Sequence, residues 1–197
     1  MPSFATHHIF ATTVQRVTGD SVAHIADACP AAYRWGAQGP DPLSFYHAPF
    51  PGPVRRLAHR ICTEPPAPLF EALCAAAVQE HNTAALAYVF GFCTNYALSR
   101  VTHAFIEAQA DRLTLYMPGY STEARRKLVE SDIDGIMIAS YIAAEPAGYE
   151  AFRLLDPNAA ECTVLARVLA HAARDAYGVR ISPAAVYRSL HDMRRIL

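Results

Sequence analysis

The sequence predicts an all-α multi-helix bundle of roughly seven to eight helices, and three observations carry that prediction. Apolar residues recur at helical spacing along most of the chain, and no stretch shows the apolar–polar alternation of a half-buried strand. Fourteen prolines fall at segment starts or between segments rather than inside the periodic runs. The run Ala85–Asp111 is apolar on most faces, which predicts a buried central helix. At 197 residues the chain is long enough for one domain with a sizeable core, so residues 1–197 are expected to form a single unit.

The elements follow in order. Ser3 or Thr6 can cap a first helix that places Phe10, Val14 and Val17 on one face, with His7 inward and His8 elsewhere. Gly19-Asp-Ser21 reads as a turn and a new helix start, and Val22–Trp35 as helical with an interruption at Pro30. Gly36-Ala-Gln-Gly-Pro-Asp-Pro42 is a loop that holds Asp41 between two prolines, and Pro42 biases Asp41 toward extended backbone. The stretch from Phe45-Tyr-His47 to Pro53 is irregular, Val54–Ile61 forms a short helix bearing His59, and Pro65–Pro68 opens a helix ending near His81. After the central helix comes an irregular link through Tyr116–Tyr120, and Ser121 or Thr122 caps a helix over about 122–144. Pro146-Ala-Gly marks a break, Asp156-Pro-Asn a turn, Glu161–Tyr177 a helix ended by Gly178, and Pro183–Leu197 the last helix.

Two helices carry polar stripes. Asn95, Ser99 and His103 recur every four residues on the central helix, and Arg126, Glu130 and Asp134 do so on the later one. Steps of four advance the side-chain direction only about 40°, so each set lies on one face. Buried polar groups need partners, since each unpaired one costs roughly 1–3 kcal/mol. Either a structural hydrogen-bond network or a functional site meets that need.

Hydrophobic residues make up 52% of the chain, charged residues 18%, and the net charge is −1, so neither nucleic acid nor an anionic membrane is expected as a general electrostatic partner. No apolar run reaches the length of a transmembrane segment, and the first residues lack the basic-then-apolar pattern of a signal peptide, so a cytoplasmic location is expected. Five scattered cysteines without a Cys-x-x-Cys pair read as reduced, buried small hydrophobes. Nine histidines direct attention to metal chemistry instead.

Several segments taken together resemble the bacterial zinc-dependent phospholipase C family. They are Ser3-Phe-Ala-Thr-His-His, Gly36-Ala-Gln-Gly-Pro-Asp-Pro with Phe45-Tyr-His47, Leu57-Ala-His-Arg60, Tyr88-Val-Phe-Gly-Phe, Asn95-Tyr-Ala-Leu-Ser-Arg-Val-Thr-His103 and Val129-Glu-Ser-Asp-Ile-Asp134. They run in order over about residues 1–142, leaving 143–197 unassigned. The resemblance implies an all-α fold holding a three-zinc cluster that hydrolyses phosphodiesters, with phospholipid headgroups as the substrate class. It implies His7, Asp41, His59, His103 and Glu130 as metal ligands. It also singles out Asp41, Asn95 and Arg126 as catalytic positions.

Three ligand positions depart from the family. Its pattern His-Tyr-Ala-Leu-Asp reads Asn95-Tyr-Ala-Leu-Ser99 here, and the His four residues before the helix glutamate is Arg126. Asn and Ser are poor zinc ligands, and Arg stays protonated. Two readings follow: a phospholipase C-like hydrolase with a reduced or degenerate zinc site, or an inactive homologue kept as a binding or scaffold module. If the metals are gone, Arg126 is expected to pair with Asp41 or Glu130.

Overall fold

The computed structural model describes residues 4–142, 145, 148–155 and 158–197. Ser3, the break at Pro146 and the turn at Asp156-Pro157 lie outside the described residues. Among the described residues the chain is all-helical, with no strand. The elements are α1 (Phe4–Val17), α2 (Asp20–Ala28), α3 (Pro30–Ala37), α4 (Asp41–Ser44), α5 (Pro53–Thr63), α6 (Ala67–Glu80), α7 (Thr83–Arg112), α8 (Thr122–Met137), α9 (Ala151–Leu154), α10 (Ala159–Tyr177) and α11 (Pro183–Ile196).

Local chemistry sets most boundaries. Pro30 and Pro53 occupy first turns, where a missing N–H costs nothing. Asn82 caps α7 by accepting from the Ala84 N–H at 2.8 Å, and Ser182 caps α11 by accepting from Ala185 at 3.1 Å. Gly178, at φ 66°, ends α10 in the left-handed conformation that suits glycine. Thr6 does not cap α1: it lies inside that helix, and its hydroxyl donates to Asp134 at 2.5 Å.

α7 is the spine. α3 packs on it and α10 packs on α6 more extensively than any other pairs. The α3–α7 crossing is a backbone contact: a Cβ on Gly91 would lie 2.1 Å from the Tyr33 carbonyl oxygen, and one on Gly36 would lie 2.2 Å from that of Tyr88. Trp35, Tyr88, Leu73 and Leu165 fill the core around this crossing. Arg167 of α10 grips Glu80 of α6 through three contacts of 2.6–3.1 Å.

Three expectations need correction. The central helix is buried over its first half only. Beyond Leu98 just Ile106 and Ala110 are buried, whereas Val101 is 80% and Phe105 54% exposed, because that half packs mainly on α8. Asp41 is not extended but opens the short helix α4, where Pro42 sits in the first turn and needs no N–H partner. Of the cysteines only Cys162 is buried; Cys29 is half-buried, and Cys62, Cys74 and Cys93 are exposed on outer or cavity-facing helix surfaces.

Candidate functional site

The two polar stripes face each other. Asn95, Ser99 and His103 from α7, Arg126, Glu130 and Asp134 from α8, Asp41 from α4 and His59 from α5 all line one cavity of about 1430 Å³. His7 does not line it. This imidazole is buried behind Asn95, at 1% exposure.

The Asn95–His7 contact is a structural network. The Asn95 amide nitrogen donates to the Ala37 carbonyl at 3.1 Å and lies 3.3 Å from His7 Nδ1. Its side-chain oxygen abuts Gly39, whose φ is 56° and at which a Cβ would stand 2.3 Å from that oxygen. Burial pushes the His7 pKa down to about 3, so the imidazole is neutral and can offer one nitrogen as acceptor.

Carboxylates divide between two tasks. Burial lifts the Asp41 carboxyl to about 7, and the neighbouring Glu130 carboxylate pushes the same way. Asp134 instead receives the start of α1, accepting from the backbone N–H groups of Ala5 at 3.1 Å and Thr6 at 3.0 Å. That is an N-cap supplied from another helix, and Asp134 does not pair with Arg100.

Arg126 corrects a specific expectation. Its ion pairs among the described residues run to Glu107 at 2.8 Å and Glu123 at 3.8 Å, not to Asp41 or Glu130. The nearest acid across the α7–α8 seam is Glu107, one turn beyond His103, and the guanidinium takes that partner. His103 lies 3.9 Å from the same carboxylate, with its side chain 65% exposed, and His59 is also exposed.

Among the described residues, no three His, Cys, Asp or Glu side chains gather closely enough to hold one metal ion. The three-zinc cluster implied by the resemblance therefore finds no ready donor set there. Comparison with family models, with curated proteins and with solved structures finds no match to this chain.

The cavity also contains residues that stripe spacing did not single out. Arg55, Arg56, Arg100 and Lys127 join Arg126 on its wall, together with Glu64, Glu123 and the carboxylates already named. Tyr149 lines it too, and its buried hydroxyl has no hydrogen-bond partner among the described residues. The Arg55-Arg56 doublet opening α5 and Arg100 beside Ser99 were the available sequence signals; nothing in the sequence marked Tyr149. Chemically, the wall offers both cations and carboxylates to a charged or zwitterionic organic group, with Phe45, Phe70 and Tyr96 supplying apolar contact.

Proposed function

We propose that the chain is a binding module whose cavity takes a phosphodiester-bearing molecule of the phospholipid-headgroup class, without three-zinc hydrolysis. The observation that carries this reading is the joint placement of both stripes on one cavity, with Arg126 engaged by Glu107 at a position where the resembled family has a ligand. Arg100, Arg126 and Lys127 can meet a phosphate, Arg by a forked pair of N–H donors and Lys as a point charge. Asp41 and Glu130 can meet a cationic or hydroxyl-bearing portion, and the Tyr149 hydroxyl supplies a further donor.

A second reading is retained because Asp41 and Glu130 are neighbours: a reduced metal site and a weak phosphodiesterase. Calorimetric titration of the chelator-treated protein with glycerophosphocholine separates the two. Metal-independent binding that weakens about tenfold in Tyr149→Phe or Arg100→Gln supports the module, since one buried hydrogen bond to a charged group is worth roughly 1.5–3 kcal/mol. Binding or turnover of a soluble phosphodiester only after zinc is added overturns it in favour of the hydrolase.

A further inference from the structure

The second half of α7 presents an apolar strip that no described residue covers. Val101 is 80% exposed and Phe105 54%, and Ala97, Ala104 and Ala108 stand exposed with them. At 100° per residue these side chains fall within an arc of about 100°, so they lie along one side of the helix. Leu115, 82% exposed, follows about four turns on from Val101, in the single 3-10 turn that continues α7. Exposed apolar surface of this kind marks interaction sites.

The strip is firmly held. The Arg125 side chain, 7% exposed, donates from Nε to the Ala110 carbonyl at 3.2 Å and from a terminal nitrogen to the Tyr120 carbonyl. That brace ties the end of α7 to the start of α8, and the Met117 N–H bonds to the Leu113 carbonyl at 2.8 Å beneath Leu115. A face already ordered loses little entropy on docking.

Charge on one edge of the strip selects the occupant. Arg100 and Asp111 are eleven residues apart, three turns plus about 20°, so both project from the same edge. Both are exposed, and neither has an ion-pair partner among the described residues. Glu107, on that edge between them, is taken by Arg126 at 2.8 Å. The opposite edge, with Thr102 and Gln109, is uncharged. Arg112 interrupts the strip near its end, where a long stem can lie along apolar surface while its charge stays in water.

We infer that this face docks a second copy of the chain, antiparallel, about a two-fold axis at the level of Phe105 and Ile106. In an antiparallel helix pair each edge meets the same edge of the other helix. An axis midway between Arg100 and Asp111 therefore sets Arg100 of each copy against Asp111 of the other, twice. The same axis brings the two Phe105 rings together and Val101 beside Ala108 of the second copy. A lipid surface would gain nothing from Asp111, whereas a second copy uses both charges. Arg100 and Ala104 also line the cavity, which puts the second copy at its rim. Contact over Ala97–Leu115 runs about 28 Å, a small interface, so a reversible dimer with a Kd of about 10 μM is expected.

The test is sedimentation velocity of the full chain over a concentration series bracketing about 10 μM. The native protein is expected to pass reversibly from monomer to dimer. Val101→Ser/Phe105→Ser weakens the dimer at least about tenfold through lost apolar burial. Asp111→Arg weakens it about tenfold, since two attractive contacts become repulsive, and adding Arg100→Asp restores native affinity by exchanging the charges. Val17→Ser, at a 79% exposed position on α1, leaves the dimer unchanged. All the substituted side chains are exposed, so far-UV circular dichroism is expected to match the native spectrum throughout. A chain that is monomeric at every concentration overturns the inference and leaves a different protein as the occupant. A dimer kept in Val101→Ser/Phe105→Ser, equal loss in Val17→Ser, no effect of Asp111→Arg, or a charge exchange that restores nothing overturns it as well.

Discussion

Adding one methyl group at Gly91 tests the crossing on which the fold depends. A Cβ there would sit 2.1 Å from the Tyr33 carbonyl oxygen and 2.8 Å from the Ala37 nitrogen, where ordinary contact begins at 3.4 Å. Both neighbours are backbone atoms of α3, so no flexible side chain can turn aside and α3 must lift from α7. Overpacking of this kind costs about 1–3 kcal/mol, with backbone clashes at the upper end. Alanine regains about 1 kcal/mol of helix propensity, which leaves Gly91→Ala destabilised by about 2 kcal/mol. For a chain of this size that lowers the midpoint of thermal unfolding by about 4–8 °C, read by far-UV circular dichroism and matched by a lower urea midpoint at unchanged slope. Gly119→Ala is the control, since its Cβ would meet nothing within 4 Å. A Gly91→Ala protein as stable as the native one would refute the close crossing, and with it the placement of Asn95 against Gly39.

Three further outcomes can be checked. Asp134→Ala removes the acceptor for the Ala5 and Thr6 N–H groups and costs about 0.5–2 kcal/mol, with faster hydrogen exchange at the start of α1; unchanged exchange there counts against the cap. Arg125→Leu leaves the Ala110 and Tyr120 carbonyls without their donor; it costs about 1–3 kcal/mol and raises exchange across 113–122, and a fall in stability without that local change contradicts the brace. Glu80 accepts three hydrogen bonds from Arg167 in the first instance, and the cation's charge adds to them, holding its carboxyl below the ordinary value of 4.5. A depressed folded pKa contributes stability above the unfolded value that is lost as pH falls through the folded one. The Glu80→Gln protein therefore shows a flatter decline in stability below about pH 4.5 than the native chain, and parallel curves would argue against the pair.

Much of the helical framework was legible because its signals are local. Pro30, Ser121 and Gly178 act through their own backbone neighbours, and the structure uses each at a helix boundary. The two stripes were legible for the same reason: a period of four fixes a face without any knowledge of what lies opposite. What lay opposite was not legible. Asp134 caps α1 across more than a hundred residues of sequence, and Arg126 selects Glu107 through the register of two antiparallel helices. Burial misled where composition stood in for packing. Reading Ala85–Asp111 as one buried run passed over Arg100, Glu107 and Asp111, which mark its second half as wetter than the uncharged first, and too few helices reach it to cover Val101 or Phe105. The short helix α4 was missed because a proline on each side of Asp41 argues for extended chain, and the first-turn tolerance for proline prevails.

His7, Asn95 and Gly39 show how a polar stripe can be shared between two roles. Asn95 sits at the deep end of the α7 stripe, 3% exposed, and its amide is engaged by Ala37 and His7, so the wall there is stiff. A burial-neutralised His7 asks for no counter-charge, and Asn95 can satisfy it without one. One turn outward at Ser99 the wall is half-buried, and two turns outward His103 is exposed. The stripe therefore grades from a fixed interior network to a wet rim. On α8 all three stripe residues are half-buried, with Asp134 bonded to the start of α1 and Arg126 held at the seam by Glu107. Two antiparallel stripes with their rigid ends together make a cavity that is preorganised at its base and adjustable at its mouth. Such a shape suits holding a polar group of a bound molecule at one end while the rest reaches outward, toward the end of the hairpin where Leu115 and Tyr116 stand.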